Sequence, residues 1–271
     1  MKIFIDSADL NEIKKYLSWG LCDGVTTNPT ICLKCGVTGG LEGLKRRTIE
    51  IAKLIEPRPI SVEVTSEDPE EIIKQAHEYS RLAENITVKV TITDRNGNSF
   101  LPIVRRLVSE RVQVNVTTLT TFNQAILAAK AIEAGMKANP QAKKPHFVSI
   151  FGGRISEEQG IERAFSVIKN FRDWLDFHKM KGIEIIIGSL RVPENVEYWA
   201  RTGAHVLTIP PEVIAKSLMG ARTKETVAQF IDDAQKSMTA LLQEGNETVV
   251  ESEIRETLIQ FINRTDKQEE L

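Results

Sequence analysis

The stretch Ile86-Thr87-Val88-Lys89-Val90-Thr91-Ile92 alternates apolar and polar residues along its whole length. A period of two is typical of a β-strand whose two faces meet different surroundings. Isoleucine and valine occupy one face, and two threonines and Lys89 occupy the other. On an exposed strand such a lysine is an ordinary surface residue. The rest of the chain decides whether Lys89 is solvated or enclosed.

Strand-like stretches alternate with helical patterns from one end of the chain to the other. The predicted strands cover residues 2–6, 24–28, 60–65, 86–92, 112–117, 147–151, 183–189 and 205–209. The predicted helices cover residues 9–17, 41–55, 68–83, 100–109, 120–134, 156–179, 193–202 and 211–218. Such alternation favours a parallel sheet covered by helices, and eight units fit a closed barrel better than an open sheet. We therefore predict an α/β fold, a (β/α)8 TIM barrel with additional C-terminal helices.

The parity of the strand residues predicts which face lines the barrel. In the predicted strand 112–117, three valines alternate with Gln113, Asn115 and Thr117. If the aliphatic face packs beneath the helices, the polar face looks into the barrel. Active sites of such barrels lie at the carboxyl ends of the strands. The residues predicted to converge there are Asp6, Thr26, Asn28, Glu63, Lys89, Asn115, Thr117, Ser149 and Ser189.

The composition argues against several classes of function. The chain has 271 residues, 41% of them hydrophobic, and its 35 basic and 37 acidic residues give a net charge of −2. This balance predicts no nucleic-acid partner and no attraction to an anionic membrane. No apolar run approaches the roughly 18 residues that span a bilayer, and the start MKIFIDSADL lacks a signal-peptide pattern. We expect a cytoplasmic protein.

The three cysteines are Cys22, Cys32 and Cys35, and the last two form a C-x-x-C pattern. A structural zinc site needs four ligands, usually from a second cysteine pair or a histidine pair. The four histidines are scattered singly. Zinc binding, a redox pair and ordinary loop cysteines remain as alternatives, and the last is favoured. We predict no metal site.

Residues 223–271 are predicted to form a helical extension beyond a barrel domain of residues 1–222. Helical patterns cover residues 224–242 and 251–264. The first carries an apolar stripe at helical spacing, made of Val227, Phe230, Ile231, Ala234 and Met238. Because a closed barrel has no free edge, we expect this stripe to pack on the barrel flank or on a neighbouring subunit. The second alternative is favoured, which predicts a homo-oligomer.

Seven motifs of the chain resemble, in order, those of the transaldolase family. They are I-D-S-A at 5–8, G-V-T-T-N-P-T at 24–30, V-E-V at 62–64, T-V-K-V at 87–90, N-V-T at 115–117, S-I-F-G-G-R-I at 149–155 and G-S-L-R at 188–191. The similarity covers about residues 1–240, and T-T-N-P-T together with V-K-V is its most specific part. The resemblance implies a Schiff-base barrel enzyme whose lysine, Lys89, lies on the fourth strand. Such enzymes move a dihydroxyacetone unit from a ketose phosphate to an aldose phosphate without a metal or organic cofactor.

The resemblance also implies roles for individual residues. The matches to catalytic positions are Lys89, Asp6, Glu63 and Thr117, which act as the Schiff-base lysine, the base at the C4 hydroxyl and two groups that hold water and shuttle protons. The matches to substrate-binding positions are Thr26, Asn28, Asn115, Ser149, Phe151, Arg154, Ser189 and Arg191. The two asparagines correspond to residues that bind dihydroxyacetone hydroxyls. The two arginines and Ser189 correspond to the phosphate end, where guanidinium groups bind oxyanions.

Other readings of these residues stay open. Asp6 could cap the first helix or turn, Glu63 could belong to a structural ion pair, and both arginines could be surface charges. Similar fructose 6-phosphate aldolases have Gln and Tyr at the positions of Glu63 and Phe151, so this chain resembles the transferases. The alternatives are such an aldolase, a specialised sugar transferase, and a non-catalytic barrel that binds sugar phosphates.

Overall fold

The computed structural model describes residues 1–142 and 145–243. Its strands are β1 (Lys2–Asp6), β2 (Gly24–Thr26), β3 (Ile60–Glu63), β4 (Ile86–Thr91), β5 (Val114–Leu119), β6 (His146–Ile150), β7 (Ile183–Ile187) and β8 (Val206–Ile209). Each strand pairs in parallel with the next along the chain, and β8 pairs with β1. The sheet is therefore a closed barrel, and the predicted (β/α)8 fold is confirmed.

Helices follow the strands and cover the outside of the sheet. They are α1 (Leu10–Ser18), α2 (Pro29–Lys34), α3 (Gly40–Ile55), α4 (Pro69–Ser80), α5 (Leu101–Ser109), α6 (Phe122–Ala138), α7 (Gly152–Gln159), α8 (Ile161–Phe177), α9 (Pro193–Ala200) and α10 (Pro211–Ser217). Side-chain caps start several of them: Asp9 accepts from the backbone N–H groups of Asn11 and Glu12, and Thr121 forms a capping box with Gln124.

The helices differ from the prediction in two places. The short helix α2 was not predicted; it begins at Pro29 directly after its N-cap, Asn28. The single predicted helix 156–179 is two helices, because Gly160 adopts φ 88° between α7 and α8. A left-handed φ ends an α-helix, and glycine takes it without a Cβ clash. The start of α7 was not predicted, because Gly152 and Gly153 stand there and glycine is a poor helix former.

The lower part of the barrel interior is filled with apolar side chains. Phe4, Phe147, Ile186 and Val206 form a separate buried cluster, in which the two phenylalanine rings meet edge to face with centroids 6.0 Å apart. Each of these residues lies two positions before a residue at the mouth of the barrel. Gly24 leaves room for this packing, since a Cβ there would lie 2.6 Å from the Phe4 ring. The cluster closes the barrel beneath the polar layer.

The chain divides into two compact units, Met1–Ser217 and Leu218–Leu271. The described part of the second unit, residues 218–243, contains the helix α11 (Ala221–Gln243), which includes the predicted helix 224–242. The predicted helix 251–264 lies outside the described residues. The packing predicted for this extension stays a prediction. Among the residues that the structure describes, no helix has the length and apolar character needed to span a bilayer.

Candidate active site

A cavity of about 110 Å³ opens at the carboxyl ends of the strands. Its lining residues are Asp6, Thr26, Asn28, Lys89, Thr117, Ser149, Phe151, Arg154, Gly188, Ser189 and Thr208. Nine of the predicted site residues are therefore brought together around one space. The other three, Glu63, Asn115 and Arg191, lie outside this lining. The parallel strands explain the convergence, because their carboxyl ends all meet at the same rim.

Lys89 is enclosed by the barrel, with only 4% of its surface exposed. Its Nζ lies 3.1 Å from Glu63 Oε2 and donates a hydrogen bond of 3.0 Å to the carbonyl oxygen of Thr27. The register of β3 and β4 places Glu63 directly beside Lys89. A buried amine that contacts a carboxylate has a partner with which it can exchange a proton.

Asp6 ends β1, and Thr26 lies beside it on β2. Thr26 Oγ1 donates a hydrogen bond of 2.5 Å to Asp6 Oδ1. Burial raises the pKa of Asp6 above its ordinary value, although the Thr26 hydrogen bond and the charge of Lys89 oppose the rise. A carboxyl group with a raised pKa is suited to accept and return a proton. The alternative that Asp6 caps the first helix is wrong, because the N-cap of α1 is Asp9.

Asn115 is fully buried behind the cavity wall. Its Oδ1 accepts a 2.7 Å hydrogen bond from Ser149 Oγ, and its Nδ2 donates to Ser61 Oγ at 3.2 Å. Asn115 therefore fixes the Ser149 hydroxyl that lines the cavity. Asn115 keeps a second amide hydrogen and a second lone pair, and the substrate contact predicted for it stays a prediction.

Thr117 brings an unsatisfied hydroxyl to the cavity. Its Oγ1 is buried and has no hydrogen-bond partner among the described residues, a costly arrangement in a protein interior. The next residue, Thr118, adopts φ 67°, and the pairing of β5 with β6 shifts register between Val116 and Leu119. Such an irregularity redirects side chains at the end of a strand. The Thr117 hydroxyl thus has a donor and an acceptor that no described residue uses.

The two predicted anion-binding arginines differ in their surroundings. The Arg154 guanidinium lies over the Phe151 ring, 4.8 Å from its centroid, at the rim of the cavity. The Arg191 Nε instead pairs with Glu157 Oε1 at 3.1 Å, and both side chains are more than half exposed. The prediction for Arg154 thus has geometric support, whereas Arg191 pairs with Glu157 and does not line the cavity.

A close backbone contact joins the start of α7 to the segment that follows β7. A Cβ at Gly153 would lie 1.7 Å from the carbonyl oxygen of Ser189, so this contact requires glycine. Ser189 itself adopts φ 63°, which is uncommon for a residue with a side chain. Together the two features fix the segment that presents Ser189 to the cavity.

Sequence reasoning missed two lining residues, Gly188 and Thr208. The Thr208 hydroxyl contacts the Thr26 hydroxyl across the interior face of β1. The strand containing Thr208 was predicted, and its parity with Val206 would have placed the hydroxyl inside the barrel. The run V-L-T-I has three apolar residues and one threonine. Threonine is also common in buried strands that have no functional role, so it did not stand out as a site residue.

The C-x-x-C pair lies in and after α2. Cys32 is buried, Cys35 is the C-cap of the helix, and both are free thiols. Burial raises the pKa of Cys32, and the nearby Cys35 adds to the rise, which makes the thiol less reactive. In the described part of the chain, no group of three or more His, Cys, Asp or Glu side chains is arranged to hold a metal ion.

Comparisons with known proteins give consistent results. The sequence pattern of a family described as transaldolase/fructose-6-phosphate aldolase matches residues 3–271. A Rhodospirillum centenum protein named "Probable transaldolase" is 34% identical over 247 residues, which cover 90% of this chain and 96% of that relative. A Clostridium tetani protein of the same name is 35% identical over 237 residues, covering 86% and 97%. A solved thiamine phosphate pyrophosphorylase of Pyrococcus furiosus, 7% identical with a TM-score of 0.51 over 77% of this chain and 85% of that chain, shares the fold alone.

Proposed function

The chain belongs to the transaldolase/fructose-6-phosphate aldolase family, and from that premise we propose that it is a transaldolase acting through a Schiff base on Lys89. It would move a dihydroxyacetone unit from a ketose phosphate, such as fructose 6-phosphate or sedoheptulose 7-phosphate, to an aldose phosphate. One observation carries the proposal: the buried Lys89 amine lies in a cavity with Asp6 and directly beside Glu63.

The first step is attack of the neutral Lys89 amine on the C2 carbonyl of the ketose. The nitrogen forms a bond to C2, and the carbonyl oxygen becomes a hydroxyl. Loss of that hydroxyl as water gives a protonated imine. Glu63, 3.1 Å from Nζ, takes the proton from the amine, and Thr117 holds the water that leaves. Protons are thus moved between groups that lie next to the Lys89 amine.

The second step breaks the bond between C3 and C4. Asp6 removes the proton of the C4 hydroxyl, the C3–C4 electron pair moves toward the imine nitrogen, and an aldehyde leaves. The three-carbon enamine stays on Lys89 until an acceptor aldehyde arrives. Its C3 then attacks the acceptor carbonyl, and Asp6 returns the proton to the new hydroxyl. Water finally releases the product and regenerates the lysine.

Phe151 favours transfer over simple cleavage. Its ring lines the cavity beneath Arg154 and has no hydroxyl with which to protonate the enamine. An enamine that is not protonated waits for the acceptor aldehyde instead of leaving as free dihydroxyacetone. Arg154 is the group at the rim that supplies a fixed positive charge for a sugar phosphate. The runner-up activity is cleavage of the fructose 6-phosphate aldolase kind, or transfer to a specialised acceptor sugar.

Borohydride trapping tests the Schiff base. The protein is incubated with fructose 6-phosphate, reduced with borohydride, digested and mapped by mass spectrometry. A three-carbon or six-carbon adduct on Lys89 is expected, because reduction makes the imine bond permanent. The matched control is Lys130, an exposed lysine on α6, which should stay unmodified. An adduct elsewhere, or none with a panel of ketose phosphates, contradicts the mechanism.

A product analysis separates transfer from cleavage. Fructose 6-phosphate turnover is measured with and without erythrose 4-phosphate, and free dihydroxyacetone is quantified in both. A transaldolase consumes the donor efficiently only when the acceptor is present. Replacing Phe151→Tyr should raise the yield of free dihydroxyacetone, since the phenol can donate a proton. Equal dihydroxyacetone release in both reactions would identify an aldolase.

The proposal includes a cytoplasmic location and a homo-oligomer built through the stripe on α11. Light scattering of the intact protein and of the variant Phe230→Asp tests the second point, because a buried charge weakens an apolar contact. A smaller particle for the variant supports the contact. A monomer in both samples contradicts it.

A further inference from the structure

The Thr208 hydroxyl has no part in the mechanism derived above, although it lies inside the cavity. Thr208 belongs to β8, is buried, and its Oγ1 contacts Thr26 Oγ1. The two threonines stand on the strands that flank β1, which carries Asp6. Thr208 is therefore linked to the proposed base through one intervening hydroxyl group, that of Thr26.

The direction of the hydrogen bonds follows from counting hydrogens. A threonine hydroxyl has one hydrogen to donate and two lone pairs that accept. Thr26 gives its hydrogen to Asp6 Oδ1, at 2.5 Å. The contact between the two hydroxyls then has only one arrangement that is a hydrogen bond, in which Thr208 donates to Thr26. The result is a directed chain from Thr208 through Thr26 to Asp6.

We propose that Thr208 is a positioning residue for Asp6, acting through Thr26 to hold and polarise the hydroxyl that binds the carboxylate. The inference rests on the proposed function only in assigning Asp6 the role of base. Hydrogen bonds in a chain strengthen one another, most of all in a low-dielectric interior. Without Thr208, the Thr26 hydroxyl would lose its donor and would be free to rotate away from Asp6.

The pKa of Asp6 reports on this chain of hydrogen bonds, because the Thr26 hydroxyl is one of several groups that act on the carboxylate. Lys89 on β4 is the cation that faces it, and Glu63 on β3 and Glu212 on α10 are the anions. Burial raises the pKa of Asp6, while the Thr26 hydrogen bond lowers it. A weaker hydrogen bond from Thr26 leaves burial less opposed. Loss of Thr208 should therefore raise the pKa of Asp6 further.

The variant Thr208→Val keeps the shape of the side chain and removes the hydroxyl. We expect kcat at neutral pH to fall about fivefold, the amount typical of one lost hydrogen bond, with little change in KM. The acid limb of the profile of kcat against pH should move to higher pH. Thr208→Ser restores the hydroxyl and should restore both values. If the Thr208→Val protein does not fold, the same measurements are made on Thr208→Ala.

The matched control is Thr87→Val. Thr87 is also a buried threonine of the barrel, and its hydroxyl has no hydrogen-bond partner among the described residues. The same substitution there removes a hydroxyl without interrupting the chain to Asp6. We expect the pH profile of this variant to match that of the unchanged protein. Equal shifts in both valine variants would overturn the proposal, because they would reflect general packing.

A readout independent of turnover separates this inference from the proposed function. The protein is labelled with carboxyl ¹³C-aspartate, and the Asp6 signal is assigned by its loss in Asp6→Asn. Its titration midpoint should rise in Thr208→Val and return in Thr208→Ser. Identical midpoints in the unchanged protein and the valine variant would overturn the role of Thr208. If no sugar phosphate is turned over, the proposed function fails, and the titration still decides the role of Thr208.

Discussion

The upper and lower layers of the barrel interior are built from the same strands, two residues apart, yet they are filled in opposite ways. Below, Phe4 and Phe147 pack edge to face with Ile186 and Val206. Above, the corresponding strands present Asp6, Ser149 and other polar groups to a cavity. Two positions along each strand thus separate a layer of packed apolar side chains from a layer of polar side chains that can take part in catalysis.

The two layers contribute to stability with opposite signs. Burying a phenylalanine or isoleucine side chain stabilises a folded protein by about 1.5–3 kcal/mol. Burying a carboxylate or an ammonium group costs free energy unless it is paired and hydrogen-bonded. Among the residues that the structure describes, Lys89 and Glu63 meet that requirement through each other and through the Thr27 carbonyl. The lower layer therefore offsets the cost of the upper one.

The largest effect expected in the upper layer comes from Lys89→Met. It removes the amine and keeps a flexible side chain of similar length, so kcat should fall by about 10⁴-fold or more, as for other covalent nucleophiles. The thermal unfolding temperature should fall as well, because Glu63 loses the cation with which it is paired. Steady-state transfer assays and calorimetry measure the two quantities. Activity within tenfold of the unchanged protein would place the chemistry elsewhere.

Asp6→Asn should separate activity from stability. Loss of a proposed general base lowers kcat by about 10²–10⁴-fold. Because burial raises the pKa of Asp6, the protonated carboxyl suits the folded state, and this stability is lost as pH rises through the raised pKa. The asparagine side chain of the variant does not ionise, so its folded state does not lose stability in this way. The variant should unfold at a higher temperature at neutral pH, and the difference should vanish below the ordinary pKa of 3.8.

Arg154→Gln tests the rim of the upper layer. Loss of a charge-assisted contact to phosphate should raise KM for a phosphorylated donor by about 10–100-fold. KM for fructose as donor should stay the same, since it has no phosphate. Arg191→Gln is the matched control: because Arg191 pairs with Glu157 outside the cavity, its effect should be the smaller one. The reverse order would show that Arg191 exchanges Glu157 for substrate.

The smallest effect on activity is expected in the lower layer. Phe147→Leu removes ring contacts with Phe4, so the free energy of unfolding should fall by about 1–2 kcal/mol. Since the polar layer above keeps its residues, kcat per folded molecule should stay within about twofold. Denaturant unfolding measures the free energy of unfolding. Borohydride trapping gives the concentration of folded active sites, from which kcat per folded molecule is calculated. A large loss of kcat would mean that the two layers are not independent.

Much of this arrangement was predictable because the strand period is a local property of the sequence. The alternation around Lys89 predicted both the strand and the enclosed side, and the parity rule placed Asp6 and Thr117 at the same mouth. Family motifs were needed to suggest what Lys89 does, because the alternation alone does not distinguish a covalent lysine from an ion-paired one.

The features that were not predictable depend on contacts between distant segments. The pair of Arg191 with Glu157 arises where β7 and α7 end side by side, which no local pattern reveals. The break at Gly160 was visible only as a glycine within a long helical pattern, a signal that many intact helices share. The partner of Thr26 on β8 likewise follows from closure of the barrel, which brings the last strand against the first.

The contact between Gly153 and the Ser189 carbonyl limits the routes by which this site can acquire new substrates. Any side chain at position 153 displaces the segment that carries Ser189, so a first mutation there damages the existing site before a second could exploit the change. Positions 151 and 154 lie on either side of the constraint and bear directly on the cavity. A lineage or a mutant library that explores other sugars should therefore change these neighbours first and keep Gly153 throughout.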